Sequence, residues 1–210
     1  MKFDYKYILW DFDGVIIDSD KARVSGFIKV LENYPKEQVD QLLEFHEKNG
    51  GLSRYVKFRY FFEQIRLESV SEERINDLAV EFSKIMRITL TSPKLLIEDS
   101  CAFIRENHEK FPMHIVSGSD GNELRFLNEQ LGLDRYFKSI HGSPVPKIKL
   151  VENLVQAGEI DPALTCLIGD AKNDFDAASA NGIDFLAYNN PTLKGLGEYY
   201  INSFTDLIFN

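Results

Sequence analysis

The chain has 210 residues, enough for one large domain or a domain with a substantial insertion, and its 44% hydrophobic content can furnish a sizeable core. Lys plus Arg number 24 against 33 Asp plus Glu, and the net charge of -9 argues against nucleic acid or an anionic membrane as partner. Cys101 and Cys166 lie far apart without paired spacing, and no stretch reads as a leader or bilayer span, so a reduced, soluble, cytoplasmic protein is expected, monomeric or a small homo-oligomer.

The first strand is expected at Tyr7-Ile8-Leu9-Trp10, entered directly from Met1-Lys2-Phe3-Asp4. It runs into Asp11-Phe12-Asp13-Gly14-Val15. Side chains two apart on extended chain point the same way, so two like charges meet just past the strand end and call for a cation or proton between them. Val15-Ile16-Ile17 leads to Asp18-Ser19-Asp20, suitable chemistry for a helix start. Four helices follow, with buried positions including Phe27 and Val30, Val39 and Leu42, Val56 and Tyr60, then Leu78 and Phe82. No strand pattern interrupts them. Residues 18–90 therefore read as a helical insertion, and residues 1–17 and 91–210 as the surrounding core.

From Pro93 helices and strands alternate. Pro93 to Lys110 reads as helix, Met113 to Val116 as a strand ending in Ser117-Gly118-Ser119-Asp120, and Leu124 to Leu131 as helix. A strand is expected from Lys138 to His141, a helix from Pro146 to Ala157 and a strand over Thr165-Cys166-Leu167-Ile168. Gly169-Asp170, a helix from Asn173 and strands at Asp184 to Tyr188 and Tyr200 to Asn202 complete the chain. This alternation predicts an α/β fold, a Rossmann-like doubly wound parallel sheet carrying an inserted all-helical unit.

In such a sheet the C-terminal strand ends share one edge, which gathers Asp11, Asp13, Ser117 and Asp170. Asp174 follows Asp170 by one helical turn. Four aspartates near one point need a divalent cation, and an all-oxygen donor set suits Mg²⁺ rather than zinc. The four histidines are scattered and read as structural. Ser117-Gly118-Ser119, taken as a helix start, offers a hydroxyl and unobstructed N–H groups to an anion, although the same residues also make ordinary turns. Lys147 can add a cation at this edge, or be a solvated lysine in a first helical turn. A carboxylate nucleophile, a second carboxylate for proton transfer, Mg²⁺ and oxyanion donors together equip a protein for phosphoryl transfer.

Asp11-Phe12-Asp13-Gly14-Val15, Ser117, Lys147 and Gly169-Asp170-Ala171-Lys172-Asn173-Asp174 resemble the four ordered motifs of the haloacid dehalogenase superfamily. The insertion resembles the helical cap of β-phosphoglucomutase-like and phosphoglycolate-phosphatase-like members. The resemblance implies that Asp11 attacks phosphorus while its other oxygen binds Mg²⁺. It implies that Asp13 serves as acid, then base, with its carbonyl on the metal. Ser117, Gly118 and Lys147 hold the phosphoryl oxygens, Asp170 ligates Mg²⁺, and Asp174 supports the metal site or Lys147. The family's lysine motif often reads Lys-Pro; here Pro146 precedes the lysine, so Lys149 stands as an alternative to Lys147. Asp13 favours phosphate chemistry, because dehalogenase members resembling this chain lack an acid there.

Asn49-Gly50-Gly51-Leu52-Ser53-Arg54 resembles the substrate-facing loop of β-phosphoglucomutase-like caps, with Arg54 a forked donor for substrate or a structural arginine. Lys57 and Arg59 read as solvated helix surface. The expected function is a Mg²⁺-dependent phosphatase acting through an aspartyl-phosphate on a small phosphate ester, with a sugar phosphate the first candidate. The alternatives are a phosphomutase on the same site, or a binding protein on a retired enzyme fold.

Overall fold

A computed structural model describes residues 2–209, with side chains described for residues 4–207; Met1, where the reading of the N-terminus begins, lies outside the described residues. Six parallel strands form the main sheet: β2 (Tyr7–Trp10), β3 (Met113–Asp120), β4 (Ser139–Ser143), β5 (Thr165–Gly169), β6 (Asp184–Tyr188) and β7 (Tyr199–Ile201). Their spatial order is β4-β3-β2-β5-β6-β7, so the chain builds outward in both directions from β2. Short strands β1 (Lys2–Phe3) and β8 (Ile208–Phe209) pair with each other separately.

The apolar runs form strands because both faces of the sheet are covered. Alternate residues feed two cores. Ile8, Trp10, Met113, Ile115, Cys166 and Ile168 pack on one side. Leu9, Val116 and Leu167 pack on the other, against Leu150, Val151 and Leu154 of α7 (Lys147–Gln156) and Ala177 and Ala178 of α8 (Lys172–Ala180). Helices α5 (Glu98–Asn107) and α6 (Gly121–Gln130) belong to the first side.

Between β2 and α5 come α1 (Asp20–Val30), α2 (Lys36–Lys48), α3 (Arg54–Tyr60), a π-helical turn (Phe61–Ile65) and α4 (Glu72–Thr89), with no strand among them. Serine hydroxyls start two of these helices: Ser53 accepts from Val56 N–H and Ser71 from Arg74 N–H. An aromatic cluster binds the layer. Phe27 lies 4.6 Å from Phe82 and 5.4 Å from Phe58, ring contacts that add about 0.5–1.5 kcal/mol each beyond burial.

The two crossings into this layer run side by side, as Asp18 N–H donates to Leu95 O and Ile97 N–H to Ile16 O. Expected bounds shift by a residue or two at several elements and by more at two. The stretch after Pro93 is a 3-10 turn (Pro93–Leu95) and then α5, because the extended Leu96 and Ile97 pair with the first crossing. β3 continues past Val116 to Asp120. No helix among the described residues is long and apolar enough to cross a membrane.

Candidate active site

Beyond Trp10 the chain stays pinned to β5, since Asp11 N–H donates to Ile168 O at 2.9 Å. The Asp11 carboxylate is buried; its Oδ1 accepts from Phe12 N–H at 2.8 Å and lies 3.0 Å from Lys147 Nζ. Lys147 opens α7 and also donates to Asp174. Asp174, in the first turn of α8, accepts with its other oxygen from Ala171 N–H at 3.0 Å. The lysine expected to face this edge is thus Lys147. Lys149 points away, half exposed and paired with Glu152.

One oxygen each of Asp11, Asp170 and Asp174 fall within 4.8 Å of one another. Burial and the Asp174 charge push the Asp11 carboxyl well above the usual carboxylate range. Burial, then Asp11 and Asp174, do the same to Asp170. Against burial, Asp11 and Asp174 hold the Lys147 ammonium firmly protonated. Three carboxylates facing one ammonium leave an excess of two negative charges, the charge of a divalent cation, and every donor is oxygen, so the residues fit Mg²⁺. Gly14 makes this crowding feasible. Its φ of +72° suits glycine, and a Cβ there would lie 2.0 Å from Asp170 Oδ2. Both Asp174 oxygens are committed, which leaves Asp11 and Asp170 as the side chains able to hold the ion.

Asp13 sits in different surroundings. Among side chains the two carboxylates have separate cationic partners, Lys147 for Asp11 and Arg23 for Asp13. Arg23 Nη2 lies 3.0 and 3.2 Å from the two Asp13 oxygens, and the Ser19 and Ser119 hydroxyls donate to the same carboxylate. Burial alone would raise this carboxyl; Arg23 and the two hydroxyls outweigh it and hold it at about 2. The Asp13 side chain is not among the clustered carboxylates.

Ser117 is buried and its Oγ accepts from Ser119 N–H at 3.1 Å. The expectation that Ser117-Gly118-Ser119 opens a helix is overturned. These residues extend β3 through a register irregularity against β4, and α6 starts only at Gly121, capped by Asp120. The N–H groups here are those of an irregular strand end. A Cβ on Gly118 would lie 2.2 Å from Gly51 O, so the helical layer's loop closes directly over this strand end. Asn173 Nδ2 secures the same Gly51 carbonyl at 2.7 Å.

The space enclosed is a cavity of about 600 Å³ bordered by Asp11, Asp13, Ser117 and Asp170 below and by Arg23, His46, Arg54 and Lys57 above. Arg54, the candidate substrate donor, is buried with partners of its own. Nη1 and Nη2 grip Glu123 at 2.6 and 2.8 Å, Nη1 also reaches Ser83, and the guanidinium lies over Phe82 at 4.6 Å. The reading of Lys57 as solvated surface is overturned. It is 2% exposed, because α3 turns that face onto α2 and the cavity, and its Nζ bonds His46 Nδ1 and Gly50 O at 2.8 Å each. Arg59 is surface, with Glu63 and Glu72.

The family model for haloacid dehalogenase-like hydrolases matches residues 8–188. The chain belongs to this family. A comparison with curated proteins finds no match. Among solved structures similar to this hydrolase are a haloacid dehalogenase-like family hydrolase from Streptococcus pneumoniae (16% identity, 96% of each chain, TM-score 0.70) and β-phosphoglucomutase from Clostridium difficile (16%, 95% of this chain and 92% of that one, 0.74). CbbY from Rhodobacter sphaeroides, solved with phosphate, is a third (13%, 96% of each, 0.76). At these identities the likeness shows a shared fold.

Several residues of the hydrolase's site escaped the motif pattern. Arg23 and Glu123 occupy ordinary amphipathic helix positions, and nothing in their local spacing marks them. Ser19 and Ser119 both read as parts of helix starts, yet both end on Asp13. Asn173, within the last motif, reaches across to the helical layer.

Proposed function

We propose that this hydrolase is a Mg²⁺-dependent phosphatase that cleaves a small phosphorylated metabolite, with a sugar phosphate the first candidate, through an aspartyl-phosphate on Asp11. The observation that carries this reading is the Asp11–Lys147 pair beside Asp170 and Asp174, with Asp11, Asp170 and Ser117 bordering one cavity. Asp11 attacks phosphorus as the bond to the leaving oxygen breaks, and Ser117, the Gly118 N–H and Lys147 hold the phosphoryl oxygens. When bound, Mg²⁺ supplies the positive charge that lets a carboxylate meet an ester dianion. Asp13, ionised while Arg23 holds it, is poised to take the proton of the water that hydrolyses the phosphoenzyme. Protonating the leaving oxygen requires Arg23 to release it first.

In this reading residues 18–90 act as a cap over the core formed by residues 1–17 and 91–210, and Arg54 keeps the cap seated through Glu123. A panel of phosphate esters assayed with and without chelator tests the proposal. Phosphate release that stops on chelation is the expected result; no hydrolysis of any ester with Mg²⁺ present overturns it. The close seating of Gly51 on Gly118 favours one second reading, a phosphomutase whose roof keeps water from Asp11. A hexose 1-phosphate converted to its isomer without phosphate release would decide for it.

A further inference from the structure

The cavity roof holds three buried cations with unequal partners. Arg23 has Asp13 and Glu123 within salt-bridge distance, and Arg54 has Glu123. Lys57 has no carboxylate among the described ion pairs; its partners, His46 Nδ1 and the Gly50 carbonyl, are both neutral acceptors. Asp13 and Asp20 act on it only across space. A buried ammonium without a counter-ion is unfavourable, and an anion alongside it removes the deficit.

The histidine adds a second donor. With Nδ1 accepting from Lys57, the ring proton lies on Nε2, and that atom is buried with no hydrogen-bond partner. Phe27 packs against the ring at a tilt of 56°, with 5.1 Å between centroids. Lys57, an ammonium with one N–H to spare, and His46, with its unpartnered imidazole N–H, are thus residues that border the same cavity as Asp11.

We infer that Lys57, oriented by His46, is the specificity determinant for the far end of the substrate and selects phosphate esters that carry a second anionic group, a carboxylate or another phosphate. The inference rests on the phosphatase reading for the position of the first phosphate. Burial brings the Lys57 ammonium down to about 7, so the unliganded protein stands close to losing that proton, and a bound anion restores it.

The test uses the full chain with Mg²⁺ and non-hydrolysable ligands of matched length. Carboxyalkylphosphonates with two to four carbons are compared with the corresponding alkylphosphonates by calorimetry at pH 7. A charge-assisted contact in a desolvated site should favour the best carboxylate ligand by roughly 10–100-fold, with proton uptake visible as buffer-dependent heat. Lys57→Met should bring that ratio to about one, and His46→Phe, which keeps a ring against Phe27, should lower it. Equal affinities in the unmodified protein overturn the inference while leaving the phosphatase reading intact, and that comparison needs no variant to fold. A ratio unchanged in Lys57→Met also overturns it. If neither ligand series binds, the phosphate site itself is wrong and both readings fall.

Discussion

Glu123 is where the helical layer and the sheet region share one charge, and its removal should be felt as stability. The side chain is fully buried in the first turn of α6, where the helix dipole favours an acid. It receives Arg23 Nη1 at 2.6 Å and both terminal nitrogens of Arg54. In Glu123→Gln the shape is kept, but two buried guanidiniums lose a common anion. Arg23 falls back on Asp13 and Ser119; Arg54 falls back on Ser83 and the Phe82 face, neither of which is charged. Breaking a buried pair in this way costs about 3–5 kcal/mol. At roughly 2–4 °C per kcal/mol for a chain of this size, the melting temperature should drop by about 6–20 °C.

The same experiment has a pH signature. Arg23 and Arg54 hold the Glu123 carboxyl below its ordinary value of 4.5, against burial, which would raise it. A lowered native pKa contributes stability above the unfolded value and loses it as pH falls through the native one. The melting gap between wild type and Glu123→Gln should therefore be flat from pH 8 down to about 5 and narrow in more acid solution. Scanning calorimetry on the two proteins across that range checks both points. A shift of less than about 2 °C at pH 7 would show that the ion pairs are solvated and would refute the reasoning.

Three further outcomes follow from the site. Asp11→Asn should abolish turnover while melting no lower than wild type in chelator at pH 8, since the substitution removes one of three mutually repelling carboxylates; a lower melting temperature would contradict the repulsion, and retained turnover the nucleophile. A raised native pKa means that ionising Asp11 costs native stability as pH rises, so the advantage of the amide should fade toward pH 4. Lys147→Ala, which strips the cation from Asp11 and Asp174, should cost about 3–5 kcal/mol in urea denaturation, against less than about 0.5 kcal/mol for the exposed Lys149→Ala. Gly118→Ala must push the Gly51 loop off the strand end, so kcat/KM should fall roughly 100-fold with little change in melting temperature; an unaltered kcat/KM would show that the roof's seating does not matter.

Much of this site was legible because strand ends in a parallel sheet converge by topology. Asp11, Ser117, Lys147, Asp170 and Asp174 each follow a recognisable apolar strand or turn, so naming the strands placed the residues. Arg54 was legible as an unusual arginine after a glycine pair, but not its partner, since Glu123 lies 69 positions away. Lys57 shows the limit most clearly. Periodicity gives the spacing of residues on a helix, yet which face is buried depends on what packs there, and α2 with His46 packs over a charged residue.

By itself the amino-acid sequence determined the order and type of the main elements, the edge on which the acids meet and the all-oxygen character of that edge. These depend on local hydrophobic period and on the handedness of strand–helix–strand connections, which act over short stretches of chain. The tertiary structure alone decided how the charges are shared: Lys147 to Asp11, Arg23 to Asp13, one glutamate to two arginines, and Lys57 to no acid among the described residues. Charge pairing in a buried site is set by distances of a few ångströms between segments far apart in the chain, and one-dimensional spacing carries no such distances.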